Sequence, residues 1–226
     1  MSLSDLWTIL DSRGFARIVG LSLEVSLTAA MLASLLGIGL GAALAVFTIP
    51  GRRLLIVALN ALLGLPPVVV GLGLYLLLSR TGPLGGLGLL FSPGAMVLAQ
   101  TVLALPIVAA LAHAGTTDLW AEYGGPLQVD GATRLRAMVH LLAIARTRLI
   151  TAILAGFGRT ISEVGAILIV GGNIAGYTRT MTTAIVLETS EGNLSLALGL
   201  GFVLIGISIV VSATIFALGA RGGQSR

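Results

Sequence analysis

The residues predict an all-α, polytopic helical membrane protein with about five transmembrane helices. Three observations point there. The chain of 226 residues is 56% hydrophobic and only 10% charged, with a mean hydropathy of +1.05, whereas soluble chains carry about 25% charged residues. Five apolar runs reach the roughly 20 residues that a spanning helix needs. The 31 glycines, with frequent Ser, Ala and Thr, are the small residues that let helices approach closely in lipid, where no hydrophobic force draws them together.

The chain reads as one membrane domain over residues 1–226, with spans expected at 18–47, 54–78, 94–111, 149–170 and 194–218. Residues 1–17 place Leu3, Leu6, Trp7 and Leu10 at helical spacing and read as a short helix lying at the interface. The run at 18–47 exceeds the roughly 7–15 residues of a signal h-region, so it is expected to stay in the mature chain. The second run carries Pro66 and Pro67 and should kink or break near its middle. The third contains Pro106. Between the third and fourth lies the longest polar stretch, residues 112–148, read as a loop with a short amphipathic helix at Ala132–Leu142.

Charge gives the expected orientation. All 13 basic residues are arginine. Arg52, Arg53, Arg134, Arg136, Arg146, Arg148, Arg221 and Arg226 fall on one side of the five-span layout, and Arg13, Arg17, Arg80 and Arg179 on the other. The positive-inside rule puts the richer side in the cytoplasm, with the N-terminus outside and the C-terminus inside. The pI of about 10.6 does not indicate nucleic acid, because the arginines are dispersed between apolar runs and read as topology signals. With no cysteine, disulfides and thiolate metal sites are excluded.

Charge inside a span is costly and marks function or a compensated pair. Arg159 and Glu163 lie inside the fourth run at i, i+4 spacing, on one helix face. They read either as a structural ion pair or as groups lining an anion path. Glu24 in the first run, with Thr28 one turn on, could face the same interior and join Arg159. The stretch Gly171–Thr183 combines glycines with Asn173, Thr178, Arg179, Thr182 and Thr183, groups suited to a gate for a hydrated oxyanion. Enzyme signatures are missing: there is no HExxH, GxSxG or GxxxxGK[ST], so the chain has no P-loop for ATP. His113 and His140 are isolated and make no metal site.

The run from Ala155 through Gly158, Arg159, Glu163 and Gly165 to Ile174 resembles the permease subunits of type I ABC importers. The run Thr178–Thr189 is most similar to the tungstate branch, with molybdate and sulfate permeases as relatives. The family's cytoplasmic signature starts Glu-Ala-Ala, with a glycine four residues after the second alanine. Gly131 takes the glycine position, while Gly125, Pro126 and Leu127 stand where Glu-Ala-Ala would, and Ala143 and Ile144 where a later Leu-Pro would. The resemblance implies a type I importer transmembrane domain in a bacterial or archaeal cell membrane. It implies a homodimer of this chain, two ATPase subunits that hold the ATP, and an extracytoplasmic solute-binding protein. The chain itself is expected to bind no cofactor and to catalyse no reaction. The loop 112–148 would couple to the ATPase through Asp130, Gly131, Ala132, Thr133, Arg134 and Arg136. The competing readings are a permease of the same architecture for molybdate, sulfate or another small solute, and an intramembrane enzyme or scaffold.

Overall fold

The computed structural model describes residues 13–223, with side chains for 14–217. Most of the expected interfacial segment 1–17, the side chain of Arg221, and Arg226 lie outside the described residues. The chain forms α1 (Arg13–Val46), α2 (Arg52–Leu62), α3 (Pro67–Leu78), a 3₁₀ turn (Gly85–Leu87), α4 (Pro93–Val129), α5 (Arg134–Ile144), α6 (Arg146–Ile161), α7 (Gly165–Gly171), α8 (Met181–Ser190) and α9 (Leu194–Gly223). No strand occurs among the described residues. The protein is an all-α membrane protein. Three helices are long and apolar enough to cross on their own, and up to five spans result if each bent helix pair counts as one.

The frame is the pair α1 and α4. At 34 and 37 residues they are about 51 and 56 Å long at 1.5 Å per residue, well beyond the ~30 Å hydrocarbon layer. They run parallel: Thr101 Oγ1 meets the Ala29 carbonyl, Gly41 meets Ala109 and His113, and Val46 packs with Leu119. A Cβ on Gly41 would overlap the Ala109 oxygen and lie 2.8 Å from the His113 backbone nitrogen. The crossing therefore depends on glycine, as close helix packing in lipid commonly does. α6 runs the opposite way, with Ala145 beside Leu119 and Thr160 beside Ser26. α9 returns parallel to α1, packing Leu200 with Met181 and Val211 near Gly158. α1, α4 and α9 thus point one way, and the broken pairs between them return.

The second run breaks where Pro66 and Pro67 were expected to kink or break it, and the other departures from the sequence reading also have physical causes. The second expected span is two helices, α2 and α3, bent by 106°. Pro67 forces Pro66 into an extended conformation, φ −64° and ψ 122°, and starts α3 at its first turn. The fourth is α6 and α7, interrupted at residues 162–164. Residues 112–129, expected as loop, continue α4 to Val129. Falling hydropathy marks where lipid ends, and none of His113, Thr116, Thr117 or Asp118 breaks a helix. The short helix expected at Ala132–Leu142 is α5, and it meets α6 at a 76° bend. α8, absent from the five-span layout, buries Met181, Thr182, Thr183 and Ala184.

Candidate functional site

The site forms where α6 stops inside the bundle. Ser162 has φ −92° and ψ 0° and ends the helix. Val164, at φ −124° and ψ −57°, redirects the chain into α7. Glu163 sits in this break with its side chain 3% exposed, and it pairs with Arg159 Nη1, one turn back, whose side chain is 28% exposed. The other carboxylate oxygen accepts the Ala166 N–H at 3.1 Å, and the Glu163 carbonyl accepts the Thr182 hydroxyl at 2.7 Å. Two otherwise costly features, a buried charge and freed backbone groups, satisfy each other.

Polar cross-links hold this junction on every side. The Thr160 hydroxyl donates to the Ser26 carbonyl at 3.1 Å, tying α6 to α1. Gln100 Nε2 donates to the Thr160 carbonyl at 3.0 Å, tying α4 to α6. The Met181 N–H donates to Ser22 Oγ at 2.7 Å, fixing the start of α8 on α1. Glu24, by contrast, is exposed and takes part in no ion pair among the described residues, so it does not join Arg159. Its place on α1 explains why: Val25 and Ser26 turn inward, and Glu24 and Thr28 occupy the opposite face.

The second candidate group lies beyond α7. Thr178 is fully buried; its hydroxyl donates to the Gly171 carbonyl at 2.6 Å and accepts the Ile174 N–H at 2.9 Å. Thr183 Oγ1 accepts the Thr180 N–H at 3.0 Å, forming a capping box for α8. Arg179 lies 3.8 Å from Glu188, whose second oxygen accepts from Asn193 at 2.8 Å. Asn173 adopts a left-handed conformation, φ 50°. In this conformation the three threonine hydroxyls are committed to backbone groups.

At the arginine-rich end, α4 closes in a Schellman motif: the Ala132 N–H bonds the Leu127 carbonyl at 2.9 Å and the Gly131 N–H bonds that of Gln128 at 3.1 Å. Asp130 is the C-cap, and Gly131 takes the left-handed position at φ 81°. Thr133 then caps α5 by accepting the Arg136 N–H at 3.4 Å. Arg134 Nη1 reaches Thr48 Oγ1 at 3.0 Å, and Arg52 Nε bonds the Leu44 carbonyl at 2.6 Å at the end of α1. α5 buries Ala137 and Leu141 and exposes Leu135 and Val139.

No protein-family model matches the chain. Curated relatives do. The chain is 38% identical over 209 residues to a "Probable anion ABC transporter permease protein" of Haloferax volcanii, covering 90% of this chain and 88% of the relative. It is 37% identical over 201 residues to a tungstate uptake system permease of Peptoclostridium acidaminophilum, covering 89% and 88%. The chain belongs to the anion permease family of ABC transporters. A molybdenum transport system permease of Escherichia coli is 31% identical over 172 residues, 73% of this chain and 75% of its own.

Within this permease the fold brings together residues from both stretches singled out in the sequence: Thr182, from the glycine-rich stretch, holds the backbone of Glu163. Arg159 and Glu163 meet as their spacing implies, although across a helix end and not along a continuous helix. The sequence reading missed Gln100, Thr160, Ser22 and Ser26, which pin the junction, and Glu188, which receives Arg179. Ser22, Gln100 and Thr160 carried a signal as polar residues inside apolar runs, whereas Ser26 contributes only its backbone carbonyl and Glu188 lies outside the five runs; pairing them required the fold.

Proposed function

We propose that this permease forms the membrane path of an ATP-driven importer for a tetrahedral oxyanion, tungstate before molybdate or sulfate. The observation that carries the reading is the tungstate uptake permease at 37% identity over 89% of this chain. An arginine at the break between α6 and α7, inside a span, agrees with an anionic cargo. In this reading two copies of the chain enclose one path on a two-fold axis, and an extracytoplasmic solute-binding protein delivers the anion. Two ATPase subunits hold the ATP, and this chain binds no cofactor. The arginine-rich end faces the cytoplasm, which puts the N-terminus outside and the C-terminus inside. There α5 lays its exposed Leu135 and Val139 into a groove of the ATPase, a short helix in a groove being a common mode of recognition. Asp130, Gly131, Ala132 and Thr133 fix its launch, and Arg134 and Arg136 flank it. Asn173, Thr178, Arg179, Thr182 and Thr183 shape the outer gate as a rigid, internally bonded unit. Closing of the ATPase pair on ATP then biases the path between its two openings.

The test is uptake into proteoliposomes holding the permease, its ATPase and its solute-binding protein, with tungstate, molybdate and sulfate offered separately. ATP-dependent accumulation of tungstate at the lowest concentration is expected. Accumulation of none of the three sinks the oxyanion reading, and preference for molybdate or sulfate moves the substrate without altering the architecture.

A further inference from the structure

Resting on the oxyanion reading, we propose that Arg159 is a transient ligand for the anion in transit, and that Glu163 is the fixed tether that parks the guanidinium and sets its release. The two members of the pair are held very unequally. Glu163 is anchored three ways: by Arg159, by the Ala166 N–H at 3.1 Å, and through its own carbonyl by Thr182 at 2.7 Å. Its side chain is 3% exposed. Arg159 has Glu163 as its one carboxylate partner among the described residues, and its side chain is 28% exposed. A guanidinium carries five N–H donors in a rigid fork, and the contact to Glu163 uses one Nη.

The remaining donors lie inside a span, where lipid offers them nothing. Unsatisfied polar groups and charges are tolerated there only against protein or water-lined space. A space of this kind opens at Ser162, between the two members of the pair in sequence. A groove of about 590 Å³ starts at Ser162, the residue that ends α6, and follows α9 past Ser208 and Ser212. Its other walls are apolar, including Ile205, Ile209 and Phe216. Arg159 does not line this groove but stands three residues before Ser162, at its mouth in sequence. A few hydroxyls on an apolar wall beside a cation suit a station that must hold an anion and also let it go.

The chemistry matches an oxyanion. The guanidinium fork fits two oxygens of a tetrahedral anion and is more weakly hydrated than an ammonium. When Arg159 turns to the anion, Glu163 keeps the Ala166 N–H, so its charge is not abandoned. When the anion moves on, Glu163 recaptures Arg159 and lowers the affinity of the station. In the proposed homodimer the path holds Arg159 twice, matching the charge of a dianion.

The experiment measures tungstate binding to the purified permease–ATPase complex without the solute-binding protein, by equilibrium dialysis with metal detection, alongside the maximal uptake rate of the full transporter. Glu163→Gln removes the competing carboxylate, and tungstate is expected to bind about tenfold more tightly than to wild type, with slower uptake. Arg159→Gln and the doubly neutral Arg159→Gln/Glu163→Gln are expected to lose binding and uptake, and the double variant leaves no unpaired charge that could prevent folding. A pair that is only structural moves folded yield and leaves tungstate affinity unchanged in every variant that folds; equal affinity in wild type, Glu163→Gln and the double variant overturns the proposal. A wild-type transporter that takes up no oxyanion fails the functional reading instead, and the two failures are separate readouts.

Discussion

Gly131 offers a perturbation whose size follows from geometry alone. A Cβ built there meets nothing within 4 Å, so substitution neither breaks a packing contact nor creates a clash. What changes is the backbone: the residue sits at φ 81°, in the left-handed region that costs an L-residue roughly 1–2 kcal/mol. Replacing glycine also removes freedom from the unfolded chain, which returns about 0.4–1 kcal/mol. Alanine should then cost about 1 kcal/mol, and valine, whose branched Cβ crowds the left-handed region most, about 2 kcal/mol. Asparagine, which tolerates this conformation, should cost about 0.5 kcal/mol or less. The strain falls on the Schellman turn that joins α4 to α5, and about 1.4 kcal/mol is a tenfold change in the population of that turn. Membrane insertion is expected to be unchanged. Capture of the ATPase subunit and coupled uptake are expected to fall in the order Gly, Asn, Ala, Val, measured by co-purification and proteoliposome transport. A Gly131→Val variant behaving as wild type in both assays, or Gly131→Asn behaving worse than Gly131→Val, would refute the reasoning, because neither outcome is compatible with a turn held by a left-handed residue.

Three further outcomes are expected. Single cysteines at Tyr177, 51% exposed, and Val129, 88% exposed, should label oppositely with an impermeant thiol reagent in intact cells; Tyr177→Cys reacts and Val129→Cys reacts only after permeabilisation, and the reverse pattern inverts the topology. Gly41→Val drives a Cβ into the Ala109 oxygen and to 2.8 Å from the His113 nitrogen and should destabilise the α1–α4 crossing by about 3 kcal/mol, read as a lower melting temperature in detergent, while Gly39→Ala, with nothing within 4 Å of its Cβ, should stay close to wild type. Thr182→Val removes the hydroxyl that holds the Glu163 carbonyl and should cost about 1–3 kcal/mol by leaving that acceptor buried and unpaired; an unchanged melting temperature shows that the backbone break between α6 and α7 is held by other contacts.

The parts legible in the sequence were those written as composition or spacing. Apolar runs revealed membrane spans, because about twenty apolar residues in a row have few uses other than crossing lipid. The i, i+4 spacing of Arg159 and Glu163 anticipated their pairing. Gly131 stood at the family's glycine position, and its positive φ of 81° became visible only in the fold. Where the reading failed, it confused hydropathy with helicity. Residues 112–125 are polar enough to leave lipid yet contain no proline, and α4 runs on through Pro126 to Val129, so the helix continues past the bilayer. Pro66 and Pro67 declared a disturbance, but not its size, because a kink and a 106° break share the same local sequence and differ only in what α3 packs against. That partner is α7, where Ala166 lies against Gly71, a contact between segments far apart in the chain.

The same distinction explains why the site was only half visible. A charged pair announces itself inside an apolar run, but its environment is assembled from groups on other helices: the Ser26 backbone carbonyl, the Gln100 amide and the Thr182 hydroxyl reach the junction from α1, α4 and α8. Taken singly each is ordinary, since serine and threonine commonly bond their own helix backbone, as Thr101 does with Val97. Only when the helices are packed do three of them converge on the segment Thr160–Glu163, where a span is interrupted. A broken helix in a membrane frees backbone groups that lipid cannot satisfy, so the break and the polar contacts require each other. The ion pair follows from that requirement: with α7 starting inside the bundle, a carboxylate caps its first turn, and a buried carboxylate in turn needs a cation. Arg159, one turn back on α6, is the cation nearest in sequence that can serve.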